Sequence, residues 1–340
     1  MFEQIHRKES VCDSKEVKCW SCNCKAHFHG SQPNGVLRWR CPNNSCDVVT
    51  FNSRYGTIRY RMKIDDKDLY EIVYLFFTGY PISDMVCLKE YTEKTIRNNL
   101  IKCIEHFTKF EDLKINYDDY VPEVIEVDEI YIKIQGHRQF YGWIAYDPVN
   151  KFIIDLEIGK RDEETLEKLF KRISIYRSKV KLIMIDGYKN YETLIKKYLS
   201  KNGHMPNTGV INKSRYVKEL DGFLTYGYFG KSRSHIEGLV IKYGLGKKIS
   251  TAMIERLNRE IRDKLAYMRR RSARMPRLLK WGEIAMEGYK FFHNVLKPHL
   301  TLSEKSSKNW IINPITPSMK ANLLNKFFSI EEVLCHPTLK

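Results

Sequence analysis

Three acids in this chain could do metal chemistry together. Asp128 lies in the alternating stretch EVIEVDEIYIKI (residues 123–134), Asp186 follows the apolar run VKLIMI, and Glu255 sits in TAMIERLNREIRDKLAYMRRR (residues 251–271). Separations of 58 and 69 positions mean that only a fold can bring them together. Three carboxylates at one point repel each other and raise their own pKa values, which is tolerable when divalent cations fill the site. Mg²⁺ (or Mn²⁺) takes oxygen ligands and keeps several waters. Two such ions can activate a water or hydroxyl and stabilise the leaving oxygen of a phosphodiester. Other readings stay open at this point. Glu255 can pair with Arg259 at i,i+4 on a solvated helix, and Asp128 can be a solvated acid on an edge strand.

Each acid needs an element to hold it. In 251–271 the residues Ile254, Leu257, Ile261, Leu265 and Met268 recur at spacings of three and four, which predicts an amphipathic helix. Glu255, Asn258, Arg259, Arg262, Ala266 and Arg269 share its other face. In 123–134, strand alternation sends Val124, Glu126, Asp128, Ile130, Ile132 and Ile134 one way, and Glu126 and Glu129 are further acids beside Asp128. Strands are also expected at 140–146, 152–158 and 180–185, with helices at 162–176 and 191–199. Apart from Lys181 the last strand is apolar, as suits burial on both faces. Three hairpin-linked strands, a helix, a buried strand and a helix predict an α/β fold with a mixed sheet flanked by helices, as in the ribonuclease H-like fold. Asp186 would then end its strand, where α/β ligands gather, with Asp128 on the neighbouring strand.

The cysteines form a second constellation. Cys19-x2-Cys22 and Cys41-x4-Cys46 are two close pairs separated by eighteen residues. This pattern suits a zinc ribbon with four thiolates on structural Zn²⁺ and no open position for water. Cys12 and Cys24 are spare thiols, and His27 and His29 lie nearby. After it come helical patterns from Asp65, from Ser83 and, capped by Thr92, from 93 to 107. Three short helices with a tight turn before the third fit a helix-turn-helix, with Lys94 and Arg97 on its recognition helix, or a plain helical linker domain.

The 340-residue chain carries a formal net charge of +17, which favours a polyanion, nucleic acid above all. Ten Lys or Arg but only two acids fall in 256–280. Within that run Arg259, Arg262, Arg269, Arg270 and Arg271 are candidate phosphate contacts. No run of about 18 apolar residues appears, and the first residues lack the apolar core of a signal peptide. These features predict a cytoplasmic, nucleoid-associated protein without a membrane span.

The stretches VIEVDEIYIK, LIMIDGYKNY and MIERLNREIRDKL, with Arg262 seven positions after Glu255 and a closing His293, Asn294–Leu302 segment (NVLKPHLTL), resemble DDE-type transposases of bacterial and archaeal insertion sequences. The resemblance covers roughly 15–302. It implies a zinc ribbon (1–58), a helix-turn-helix DNA-binding domain (62–118), a ribonuclease H-like catalytic domain (120–302) and a tail (303–340). It also implies cutting of transposon ends and joining of the 3′-hydroxyl to target DNA. Asp128, Asp186 and Glu255 would be the metal ligands, Arg262 would contact double-stranded DNA, and the protein would be at least a homodimer. A retired transposase kept as a DNA-binding protein, or a nuclease that cuts without joining, are the alternatives. Residues 201–250 match nothing in the resemblance. Their glycines point to flexible turns, and Lys231, Arg233, Lys242, Lys247 and Lys248 are candidate DNA contacts. A helix is expected over 317–333, as an oligomerisation element or as a strap on the catalytic core.

Overall fold

The change from helical to alternating periodicity near residue 120 coincides with a division of the chain into two units. One comprises residues up to 75, 82–115 and 328 onward; the other comprises 76–81 and 116–327. The structure, a computed structural model, describes residues 17–32, 36–60, 62–134, 137–200, 205–213, 224–265, 268, 279–306 and 311–338. Cys12, Arg269, Arg270 and Arg271 fall outside the described residues.

The first unit opens with a three-stranded antiparallel sheet: β1 (His27–Ser31), β2 (Leu37–Arg40) and β3 (Thr50–Asn52). Three helices follow: α1 (Asp66–Phe77), α2 (Ile82–Lys89) and α3 (Glu93–Lys114). Glu90, at φ 56°, turns the chain between α2 and α3, and Thr92 Oγ1 then accepts the Thr95 N–H at 3.2 Å to start α3. α3 runs past the expected end at 107 because Phe107, Phe110 and Ile115 continue its buried stripe.

The second unit is built on a six-stranded mixed sheet with strands β4 (Val124–Ile134), β5 (His137–Asp147), β6 (Phe152–Gly159), β7 (Leu182–Asp186), β8 (Asn207–Lys213) and β9 (Leu224–Phe229), in the order β6-β5-β4-β7-β8-β9. β4 pairs antiparallel with β5 and parallel with β7. The helix α4 (Glu163–Ile173) makes the crossover, and α5 (Tyr191–Leu194) continues into a π turn at Ile195–Leu199. Then come α6 (Arg233–Lys242), α7 (Ala252–Lys264) and α8 (Leu279–Phe291). Val124, Leu182, Met184 and Ile211 pack on Ile236 and Val240 of α6, which buries the centre of the sheet.

Among the described residues of 201–250, β8, β9 and α6 are regular structure, while Gly230, Gly244 and Gly246 take left-handed φ values at turns, as the glycines suggested. Gly209 is in mid-strand, where a Cβ would meet Ile249 Cδ1 at 2.5 Å, so close packing explains it. The helix expected over 251–271 ends at Lys264, yet its predicted stripe of Ile254, Leu257, Ile261, Leu265 and Met268 is buried throughout.

The helix expected over 317–333 is broken. After the short hairpin of β10 (Glu304–Lys305) and β11 (Ile311–Asn313), α9 (Pro317–Lys320) stops at Asn322, whose left-handed φ of 58° cannot continue a helix. α10 (Ile330–Cys335) forms separately, with Ser329 and Glu332 in a capping box. It belongs to the first unit: His106 Nε2 donates to the Val333 carbonyl at 2.8 Å, Thr338 N–H donates to the Gly56 carbonyl at 3.0 Å, and Phe328 lies edge-on to Phe110. The tail therefore divides: residues 303–327, with α9, go with the second unit, and 328 onward with the first, where α10 packs on α3. Leu334 is fully buried there. Leu334→Ala is therefore expected to cost about 2–5 kcal/mol, read as a lower denaturant midpoint for exchange of the α3 amides with the β7 amides unchanged.

Candidate functional site

β4 and β7 lie side by side and in parallel, with Val127 opposite Ile185. One step further along both strands stand Asp128 and Asp186. β7 ends at Asp186, while β4 runs on to Ile134 paired with β5 alone, so both aspartates stand at the carboxyl end of β7, where ligands of α/β sheets gather. The Tyr188 N–H donates to Asp186 Oδ1 at 3.0 Å and fixes that carboxylate at the turn. Asp128 and Asp186, 58 positions apart in sequence, thus reach one point.

The third acid of that cluster is not Glu255 but Glu129. Oxygens of Asp128, Glu129 and Asp186 lie within 4.8 Å of one another, an arrangement that could hold a metal ion. Adjacent strand residues face opposite sides, yet oxygens of both Asp128 and Glu129 come within 4.8 Å of Asp186 at the end of β7. Burial, then the charges of Glu129, Asp186 and Glu255, push Asp128 up to about 7. Burial and then the Asp186 charge raise Glu129 as well, opposed by Arg161. Arg161 Nη2 meets Glu129 Oε1 at 2.5 Å, and its guanidinium lies over the rings of Tyr188 (5.1 Å) and Tyr141 (5.9 Å). Glu129 Oε2 is buried with no hydrogen-bond partner. Three carboxylates, with Asp128 and Glu129 raised by burial and one oxygen of Glu129 orphaned, fit a hard divalent cation such as Mg²⁺ or Mn²⁺.

Glu255 approaches from α7, which packs on β4. Its carboxylate accepts from Thr251 Oγ1 at 3.2 Å, and its charge is among those raising Asp128. Asn258, one turn on, donates from Nδ2 to Asp128 Oδ2 at 2.8 Å. Asn258 shares the helix face of Glu255, as periodicity placed it, yet it is 2% exposed because it serves a buried carboxylate. Glu126, two residues before Asp128, is 1% exposed and accepts the Ile254 N–H on Oε2 at 2.7 Å. Glu126, Glu129, Asn258 and Arg161 had no assigned role in the sequence. The available signal was three acids within four positions of an otherwise aliphatic strand.

The basic candidates divide. Arg259 is exposed on α7, and Arg262 is partly buried. Lys94 is exposed near the start of α3, whereas Arg97 is ion-paired with Glu93 one turn earlier at 2.6 Å. His293 and Asn294 are buried and hold the sheet. The Asn294 side-chain amide donates to the Ile153 carbonyl and accepts the Ile153 N–H, both at 2.9 Å, and so mimics a neighbouring strand along edge strand β6. His293 Nε2 donates to the Lys151 carbonyl at 2.9 Å.

In the first unit Cys19, Cys22, Cys41 and Cys46 converge within 4.8 Å of one another. The Sγ–Sγ distances are 3.8 Å for Cys19–Cys46 and 3.4 Å for Cys22–Cys41, near the ~3.8 Å edge of a tetrahedral Zn–S₄ site. Asn23, at φ 60°, forms the turn after the first pair. The backbone N–H of Cys24 brings Cys22 down to about 6, while burial pushes Cys41 up to about 12, so the thiols cannot all ionise unaided at neutral pH. Cys24 is half-buried outside the cluster, and His27 and His29 are exposed on β1. Among the described residues no helix is long and apolar enough to cross a membrane. No protein-family model matches the chain, and no curated protein matches it.

Proposed function

We propose that this protein is a DDE-type DNA transposase with a ribonuclease H-like catalytic domain, a zinc ribbon and a helix-turn-helix. The observation that carries the reading is the meeting of Asp128 and Asp186 on adjacent parallel strands, with the helix bearing Glu255 docked on the first of them. The sheet supports the fold assignment, since three hairpin-linked strands are followed, across a helix, by a parallel strand beside the first. The four converging thiols support structural zinc. α2 and α3, joined by a tight turn, support the helix-turn-helix reading, with Lys94 available to a phosphate.

A divalent cation held by Asp128, Asp186 and Glu255, with Glu129 beside them, would supply charge neutralisation at a phosphodiester and activation of a water or 3′-hydroxyl. The chain's own groups prepare that site. Asn258 orients Asp128, the Tyr188 N–H orients Asp186, and Arg161 balances the charge on Glu129. Exposed Arg259, one turn beyond Glu255, is placed to hold a flanking phosphate.

The test is incubation with Mg²⁺ and DNA carrying the repeats that flank the gene. Strand cleavage followed by joined products is the expected outcome. Cleavage without joining identifies a nuclease, and end binding without cleavage identifies a DNA-binding protein that no longer performs chemistry.

A further inference from the structure

Two hydrogen bonds join α7 to β4, and both come from buried side chains. Glu126 on the strand accepts the N–H of Ile254, the third residue of α7. Asn258 on the helix donates to Asp128. The two strand positions are two residues apart and share a face, an advance of about 6.7 Å. The two helix positions are four residues apart, an advance of about 6 Å. The spacings match, so both bonds form together in only one register.

Local side chains cap α7 only in part. Thr251 precedes it, but its hydroxyl goes to the Glu255 carboxylate and accepts no backbone N–H of the first turn; Ser250 Oγ accepts only the Ala252 N–H, at 3.1 Å. One of the N–H groups left over at any helix start is instead satisfied by a carboxylate from another element. That carboxylate is 1% exposed, and a buried acid is costly unless it has work to do. Glu255 is bonded directly to Ile254, so whatever fixes the Ile254 N–H fixes the backbone from which Glu255 projects.

We propose that Glu126 and Asn258 form a two-point clasp that sets the register of α7 on β4 and so delivers Glu255 to the Asp128–Asp186 pair. The inference rests on the proposed function for its consequence, but the clasp itself is tested without metal. Glu126 is a positioning residue: its carboxylate is occupied with the helix backbone. Glu126→Gln keeps an oxygen for the Ile254 N–H and preserves the clasp; Glu126→Ala removes it.

The experiment has two readouts on the full chain. The first is amide hydrogen exchange without added metal, with the β7 amides as the folding control. In Glu126→Ala the amides of Ile254, Glu255 and Arg256 should exchange at least about tenfold faster while β7 stays protected, and Glu126→Gln should behave as wild type. The second is Mn²⁺ binding followed by electron paramagnetic resonance. The Mn²⁺ concentration at half-saturation should rise about 10–100-fold in Glu126→Ala and in Asn258→Ala, and less than about threefold in Glu126→Gln. Wild-type exchange at the start of α7 in Glu126→Ala overturns the clasp. If Glu126→Ala also unprotects β7, Asn258→Ala decides, and unchanged Mn²⁺ affinity in that variant overturns the proposal. Wild-type protein that takes up no Mn²⁺ overturns the proposed function instead.

Discussion

Asp128→Asn and Asp186→Asn should each lower Mg²⁺-dependent strand cleavage by at least about 10³-fold and leave end binding by the first unit within about twofold of wild type. The two carboxylates are neighbours on parallel strands, Asp128 oriented by Asn258 and Asp186 by the Tyr188 N–H, and the nearest same-face acid, Glu126, is occupied by the Ile254 N–H. Glu255→Gln and Glu129→Gln separate two versions of the site. On the proposed reading Glu255→Gln falls with the aspartates, whereas Glu129→Gln, whose partner Arg161 remains, falls less, by about 10–100-fold. Cleavage at the wild-type rate in any of the first three variants removes that residue from the metal site. A larger loss in Glu129→Gln than in Glu255→Gln would make Glu129 the third ligand.

The same carboxylates set a pH signature. Asp128 is pushed up to about 7 and Glu126 to about 8, in both cases first by burial. The fold therefore prefers their protonated forms. Without metal, the stability they contribute is fully present below about pH 4, the unfolded carboxylate range, and is lost as pH rises through 7 and 8. Metal affinity runs the opposite way, weakening by up to about tenfold per pH unit below 7 because a proton competes for Asp128. Asp128→Asn removes one charge from this set, and metal-free protein at pH 8 should melt about 2–4 °C higher, the shift for ~1 kcal/mol in a domain of this size. A melting temperature that rises with pH in the metal-free wild type would contradict this account.

The second large effect concerns the cysteines. Purified protein should hold about one zinc per chain, and Cys41→Ser or a strong chelator should release it. The module they organise is small: Cys19, Cys41 and Val48 are its buried centre, with Cys22, Cys46 and Phe51 packed around them. A structural zinc contributes on the order of 10 kcal/mol, more than such a core can replace. Loss of zinc should therefore abolish exchange protection across β1, β2 and β3 and weaken end binding at least about tenfold, while β4 and β7 keep their protection. Protein that contains no zinc, or whose β1–β3 amides stay protected in Cys41→Ser, would refute the ribbon.

Local pattern alone was enough for much of the molecule. The strand around Asp128, the apolar strand ending at Asp186 and the buried stripe of α7 were legible because alternation and the 3.6-residue period depend only on which residues must leave water. The paired cysteines were legible because four soft ligands at turn spacing have few other uses. Tertiary structure decided the rest. β8, β9 and α6 were hidden because Gly209 imitates a turn until Ile249 is seen packed against it. α10 joined the first unit through His106, which is 227 positions away from its partner Val333 and invisible to any local window. Asn258 stands on the polar face of the helix wheel, yet it is buried and donates to Asp128. Glu129 is only a further acid beside Asp128 in sequence, yet the fold brings it within 4.8 Å of Asp186 at the end of β7. Periodicity records how a residue relates to water; only the packed fold records which charge it meets.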